Sequence, residues 1–236
     1  MSSKSKRLYV ELLVCLTAIF LLLFFSSIHQ IDEAVQAYFF DAGSGSWLMP
    51  PDRRDWVYEI FYSVPKVALV IGAMLCVLWL LIARIFGRPV ENEVDIWTVL
   101  LVLGTVAAIA GYLKGITGVS CPVHSIVYGG LFEPVTIWDR LWSHAGFERN
   151  FRCWPAGHAT GGFGLLGLRA IAGRFPDWLT RLYWVPGILA GWAMGIFQMA
   201  RGQHYLSHTV ATMLLAWGVC CIAMLLRRKY LVRSPA

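Results

Sequence analysis

Charge is scarce in this chain. Asp, Glu, Lys and Arg make up 14% of its 236 residues, against 58% hydrophobic. That is too little charge for the surface of an ordinary water-soluble domain. Internal repeats and low-complexity stretches are absent, so nothing marks a solenoid or a biased tail. The half-symmetric broken helices of a transporter are absent too. No carboxylate stands at ligand spacing from His158, His204 or His208, which argues against zinc, and no cofactor is expected. Acidic residues are the scarcer sign, 14 against 20 basic, for a net charge of +6. Elsewhere that excess suggests nucleic acid. Here the charges flank apolar runs, so they read as topology signals and contacts to anionic headgroups, with no nucleic-acid partner.

What the chain has in plenty is apolar length. Six runs approach the ~20 residues a bilayer requires: 8–26, 64–86, 96–113, 156–172, 182–199 and 210–226. They predict an all-α, six-span transmembrane helical bundle, a single domain over 1–236. The 11 Trp and 9 Tyr suit aromatic belts at both interfaces. The fourth run holds Gly157, Gly161, Gly162, Gly164 and Gly167, which suits close packing among neighbours rather than a lipid face.

Charge sets the orientation. Lys4, Lys6, Arg7, Arg84, Arg88, Arg169, Arg174, Arg181, Arg227, Arg228, Lys229 and Arg233 all fall on one side of a six-span bundle. Short basic loops stay in the cytoplasm, so both termini are predicted to be cytoplasmic. The other side carries Arg53, Arg54, Lys66, Lys114, Arg140, Arg149, Arg152 and Arg201, diluted by nine acidic residues in two longer loops. The first run exceeds the apolar core of a signal peptide and reads as an uncleaved anchor, with Glu11 snorkelling to water. Residues 31–40 suit a short interfacial helix. Trp138, Trp142, Phe147, Phe151 and Trp154 suit interfacial anchoring or a headgroup site.

Three polar clusters end these runs on the outward side. They are Lys114 with Cys121-Pro122; Pro155-Ala156-Gly157-His158; and Arg201-Gly202-Gln203-His204 with His208. Arg201, His204 and His208 are spaced three and then four apart, which stacks them on one helical face, though Gly202 also permits a bend or stop there. His158 falls where a loop enters a span, where unpaired N–H groups and the helix dipole favour an anion. A His so placed can protonate a leaving oxygen. Lys, Arg and several His converging at a membrane surface make a phosphate site.

These clusters resemble the signature of the type 2 phosphatidate phosphatase superfamily, the integral-membrane lipid phosphate phosphatases. Lys114 is followed by six residues and Cys121-Pro122; Pro155-Ala156-Gly157-His158 matches the second part; His204 and His208 end the third. The resemblance implies that His204 attacks phosphorus and that His158 protonates the leaving oxygen and then activates water. It also implies that Lys114, Arg201 and the amides near Gly157 hold the phosphoryl oxygens. The chain departs from the signature at Cys121 for Arg, Ala156 for Ser, Gln198 for Arg and His208 for Asp. Arg152 is a candidate replacement for the first Arg. His208, when neutral, is a candidate acceptor for the second N–H of His204. The reverse assignment, with His208 as nucleophile and His204 as helper, stays open.

Of six cysteines, Cys121 and Cys153 alone fall on the outward side, beside the first two clusters. On the oxidising face of a bacterial inner membrane they are predicted to form a disulfide. The predicted activity is hydrolysis of a lipid phosphate or diphosphate at the periplasmic face, the substrate being polyprenyl diphosphate, phosphatidate, phosphatidylglycerol phosphate or lipid A phosphate. Phosphotransfer between lipids, and a non-catalytic headgroup binder or transporter, are the alternatives.

Overall fold

The computed structural model describes residues 3–25, 28–49, 56–142, 151–172, 177–180 and 182–233. Arg53, Arg54, Phe147, Arg149, Arg174 and Arg181, read above from the sequence, lie outside them. The described chain is mostly helical. Its principal helices are α1 (Ser3–Phe24), α2 (Ile28–Gln36), α3 (Val64–Ile85), α4 (Glu93–Thr117), α5 (Trp184–Ala200) and α6 (Leu206–Arg233). A two-stranded antiparallel hairpin, β1 (Phe40–Asp41) and β2 (Ser46–Trp47), is a small addition to the predicted all-α fold.

Among the described residues four helices are long and apolar enough to cross a membrane: Lys4–Phe24, Trp56–Ile85, Glu93–His124 and Leu206–Leu231. Their outward faces carry large bare apolar side chains, such as Leu13, Met74 and Ile85, which suit lipid rather than water. The other two predicted spans differ. α5 has 17 residues, about 25 Å at 1.5 Å per residue, short of the ~30 Å hydrocarbon core. The fourth is a chain of short pieces, 3₁₀ at Gly157–Ala159 and Leu165–Leu168, α at Thr160–Gly164 and Arg169–Ala172. The glycines explain this. A Cβ on Gly162 would sit 2.3 Å from the backbone nitrogen of Gly191, so α5 crosses this segment with backbones in contact. The segment forms the core instead of facing lipid: Phe163 is 0% and Leu166 1% exposed, packed with Val102, Val106 and Ala216.

Glu11 does not snorkel to water. Arg169 donates to both of its oxygens, one at 3.0 Å, and Trp217 Nε1 donates at 3.2 Å. This ties α1, the 157–172 segment and α6 together at one end. Arg227 Nε donates to buried Asp95 at 2.6 Å, joining α6 to α4 there. At the other end Phe151 and Trp154 are buried within the protein and are not surface anchors, whereas Trp142 is half exposed beside Phe24.

Candidate active site

All three clusters gather at the end of the bundle opposite Glu11. Lys114 lies in the last turn of α4, and Gly157 leaves room for it: a Cβ there would be 3.2 Å from Lys114 Nζ. The second cluster is stitched between α4 and α6. Thr117 Oγ1 donates to the Trp154 carbonyl at 3.0 Å and Cys153 N to the Val119 carbonyl at 3.2 Å. Ala156 N donates to the His208 carbonyl at 3.1 Å, and Thr212 Oγ1 to the Ala156 carbonyl at 3.1 Å. Ala156 is fully buried.

His158 Nδ1 lies 3.1 Å from His204 Nε2. His204 is 1% exposed. Burial, then the charge of Lys114, then His158 and His208, hold its pKa well below the usual 6.5, with partial relief from the Cys153 carbonyl. The imidazole is therefore neutral at pH 7, with a lone pair to offer.

The expected single helical face of Arg201, His204 and His208 does not exist. α5 ends at Arg201, Gly202 turns the chain at φ +66°, and α6 starts at Leu206. His204 thus sits in a tight turn and His208 in the first turn of α6. The positive φ requires glycine, and Trp47 lies flat on it, 2.5 Å from where a Cβ would be. Buried Arg201 stacks on Tyr58 at 4.5 Å and on Phe197 at 5.4 Å. Tyr58 packs against Tyr62, and Tyr62 against His158 at 4.4 Å, so an aromatic file links Arg201 to His158.

His208 does not orient His204 by a hydrogen bond. Their rings are 5.8 Å apart, edge to face, and both imidazoles lie within reach of the Cys153 carbonyl instead. Gln198, at the position where the signature has Arg, is 1% exposed with both amide atoms unpartnered. Arg152 is exposed, within electrostatic range of Lys114. Cys121 and Cys153 lie with Cα atoms 5.3 Å apart and their sulfurs in bonding contact. His124 stands beside the pair; with the sulfurs joined to each other they are not free thiolates for a metal.

Sequence reading missed Tyr58, Tyr62 and Lys66, which recur every four residues on one helical face. It also missed Asp32 and Gln36, which no local pattern marks.

A cavity of about 360 Å³ opens beside His158 between α3 and α4, lined by Gly157, His158, Tyr62 and Lys66 and otherwise by mostly apolar side chains such as Leu69, Met74 and Leu103. Comparison with known families matches residues 95–231 to one described as the PAP2 superfamily. No curated protein and no solved structure matched the chain.

Proposed function

This chain belongs to the PAP2 superfamily, and we propose that it releases phosphate from a phosphorylated membrane lipid through a phosphohistidine on His204. Phosphatase-type action on phosphate esters accompanies the family. The observation that carries the reading is the 3.1 Å approach of His158 Nδ1 to His204 Nε2 beside Lys114.

In this mechanism His158 enters as the imidazolium, with one of its two N–H groups at Nδ1, and His204 presents the Nε2 lone pair. That lone pair attacks phosphorus. As the bond from phosphorus to the lipid oxygen breaks, His158 delivers its proton to that oxygen. His158 then takes a proton from water, the water oxygen attacks phosphorus, the phosphorus–nitrogen bond breaks, and phosphate leaves. Lys114 and Arg201 offset the charge on the phosphoryl oxygens. Gln198 supplies a neutral amide donor where a guanidinium is usual.

The cavity supports a lipid. Its polar groups lie at the His158 end and the remaining walls are mostly apolar, which suits a phosphate on an acyl or isoprenoid chain. The basic flanks of the apolar runs support six spans, cytoplasmic termini and a site on the periplasmic face of a bacterial inner membrane. Phosphate release from purified polyprenyl diphosphate, phosphatidate, phosphatidylglycerol phosphate and lipid A tests the reading, with His158→Ala as the blank. Turnover of at least one lipid by the wild type alone is the expected result. Equal release by both proteins, or none by either, overturns it.

A further inference from the structure

The turn that holds His204 has few bonds of its own. Gly202 N donates to the Met199 carbonyl and Gln203 N to the Gln198 carbonyl, both at 2.9 Å. From outside, Met49 N and Val123 N donate to the Ala200 and Gly202 carbonyls at 3.1 and 2.9 Å, and the two ends of the turn are held by the side chains of α2. Gln36 Nε2 donates to the Met199 carbonyl at 2.8 Å. Ser207 donates to Asp32 twice, from N to Oδ1 at 2.8 Å and from Oγ to Oδ2 at 2.5 Å. Asp32 and Gln36 are one turn apart on the same face of α2 and are 5% and 0% exposed.

A buried carboxylate is costly to desolvate, and an apolar side chain would pack this face at less cost. What the carboxylate adds is direction. It takes both donors of Ser207 at the start of a 28-residue helix, where the dipole favours an anion. Met199 and Ser207 bracket the turn that carries Arg201 and His204.

Building on the function proposed above, we infer that Asp32, together with Gln36, is a positioning residue for phosphoryl transfer: α2 clamps both ends of the 199–207 turn and so holds His204 Nε2 in line with His158. α2 is then more than the membrane-surface anchor its sequence suggests.

The test uses the full chain in mixed micelles, with the lipid of the panel that the wild type turns over fastest, and hydrogen exchange of the 199–207 amides as a second readout. Asp32→Ala and Ser207→Ala are expected to lower kcat about 10- to 100-fold while KM stays within about twofold, as displacement of a reacting group does. Exchange at 199–207 rises while exchange in the middle of α6 does not. Asp32→Glu recovers part of kcat, and adding Ser207→Ala to Asp32→Ala costs little more. Folded variants with wild-type kcat and wild-type exchange overturn the clamp. Should Asp32→Ala fail to fold, Ser207→Ala, which loses a single hydroxyl donor, decides by the same readouts. Should the wild type turn over no lipid, the proposed function falls and exchange in Ser207→Ala alone judges the clamp: faster supports it, unchanged overturns it.

Discussion

His158 Nδ1 and His204 Nε2 stand 3.1 Å apart although 46 positions separate them in the chain. Neither ring is held there by its own element. His158 comes from a glycine-broken segment stitched to α4 and α6, and His204 from a turn braced by α2 and β2.

If His204 is the nucleophile, rapid mixing with radiolabelled lipid phosphate should trap an acid-labile phosphoenzyme on the wild type and none on His204→Ala. His158→Ala should slow turnover by about 10²- to 10⁴-fold, the usual contribution of a positioned acid or base. Label remaining on His204→Ala protein would move the role to another residue, His208 first.

Burial is the largest influence on Asp32 and pushes its pKa from 3.8 up to about 6, against the lowering effect of its bonds to Ser207. Between those values the folded chain keeps a proton that the unfolded chain has released. Stability therefore falls as pH rises through that window, and the loss is complete above it. His29, Glu33, Tyr128 and Tyr205 surround the same carboxyl and are present in both proteins compared. The melting temperature of the wild type should drop more between pH 4 and 6.5 than that of Asp32→Asn. Parallel curves would contradict the raised value.

Glu11→Gln should cost about 1–3 kcal/mol, because it leaves the half-buried Arg169 without its anion. Denaturation in detergent measures this. The double variant Glu11→Gln with Arg169→Met should recover much of the loss; recovery of none would show that the pair is not what holds α1 to the 157–172 segment.

The Cys121–Cys153 bridge closes a loop across 32 positions, and chain entropy makes such a closure worth about 3–4 kcal/mol. Non-reducing peptide mapping of protein from native membranes should find the linked pair. Two free thiols would remove the bridge from the account, and equal stability with and without reductant would remove its energetic role.

Gly162→Ala should destabilise by about 1–3 kcal/mol, the usual cost of forced overpacking, since its Cβ meets the backbone of Gly191. Gly72, with nothing within 4 Å of a Cβ, is the control. Equal melting temperatures for the two alanine variants would show that α5 can move away freely.

Much of this molecule is written locally. A helix long enough for a bilayer needs only a continuous apolar run, so α1, α3, α4 and α6 follow from composition within each segment, and their basic flanks follow too. The candidate site side chains were legible as well, because Lys114, His158, Arg201 and His204 sit in short spaced motifs. What tertiary structure alone decided is how those parts meet. The run 156–172 reads as a closely packed span from its glycines, but only the tertiary structure shows that it is a series of short helical pieces with Gly162 against the Gly191 backbone. Arg201, His204 and His208 have helical spacing, yet a left-handed Gly202 under Trp47 puts them in a turn. Asp32 finds Ser207 across 175 positions and Glu11 finds Arg169 across 158. Such pairings depend on which helices become neighbours, and no window of sequence encodes that.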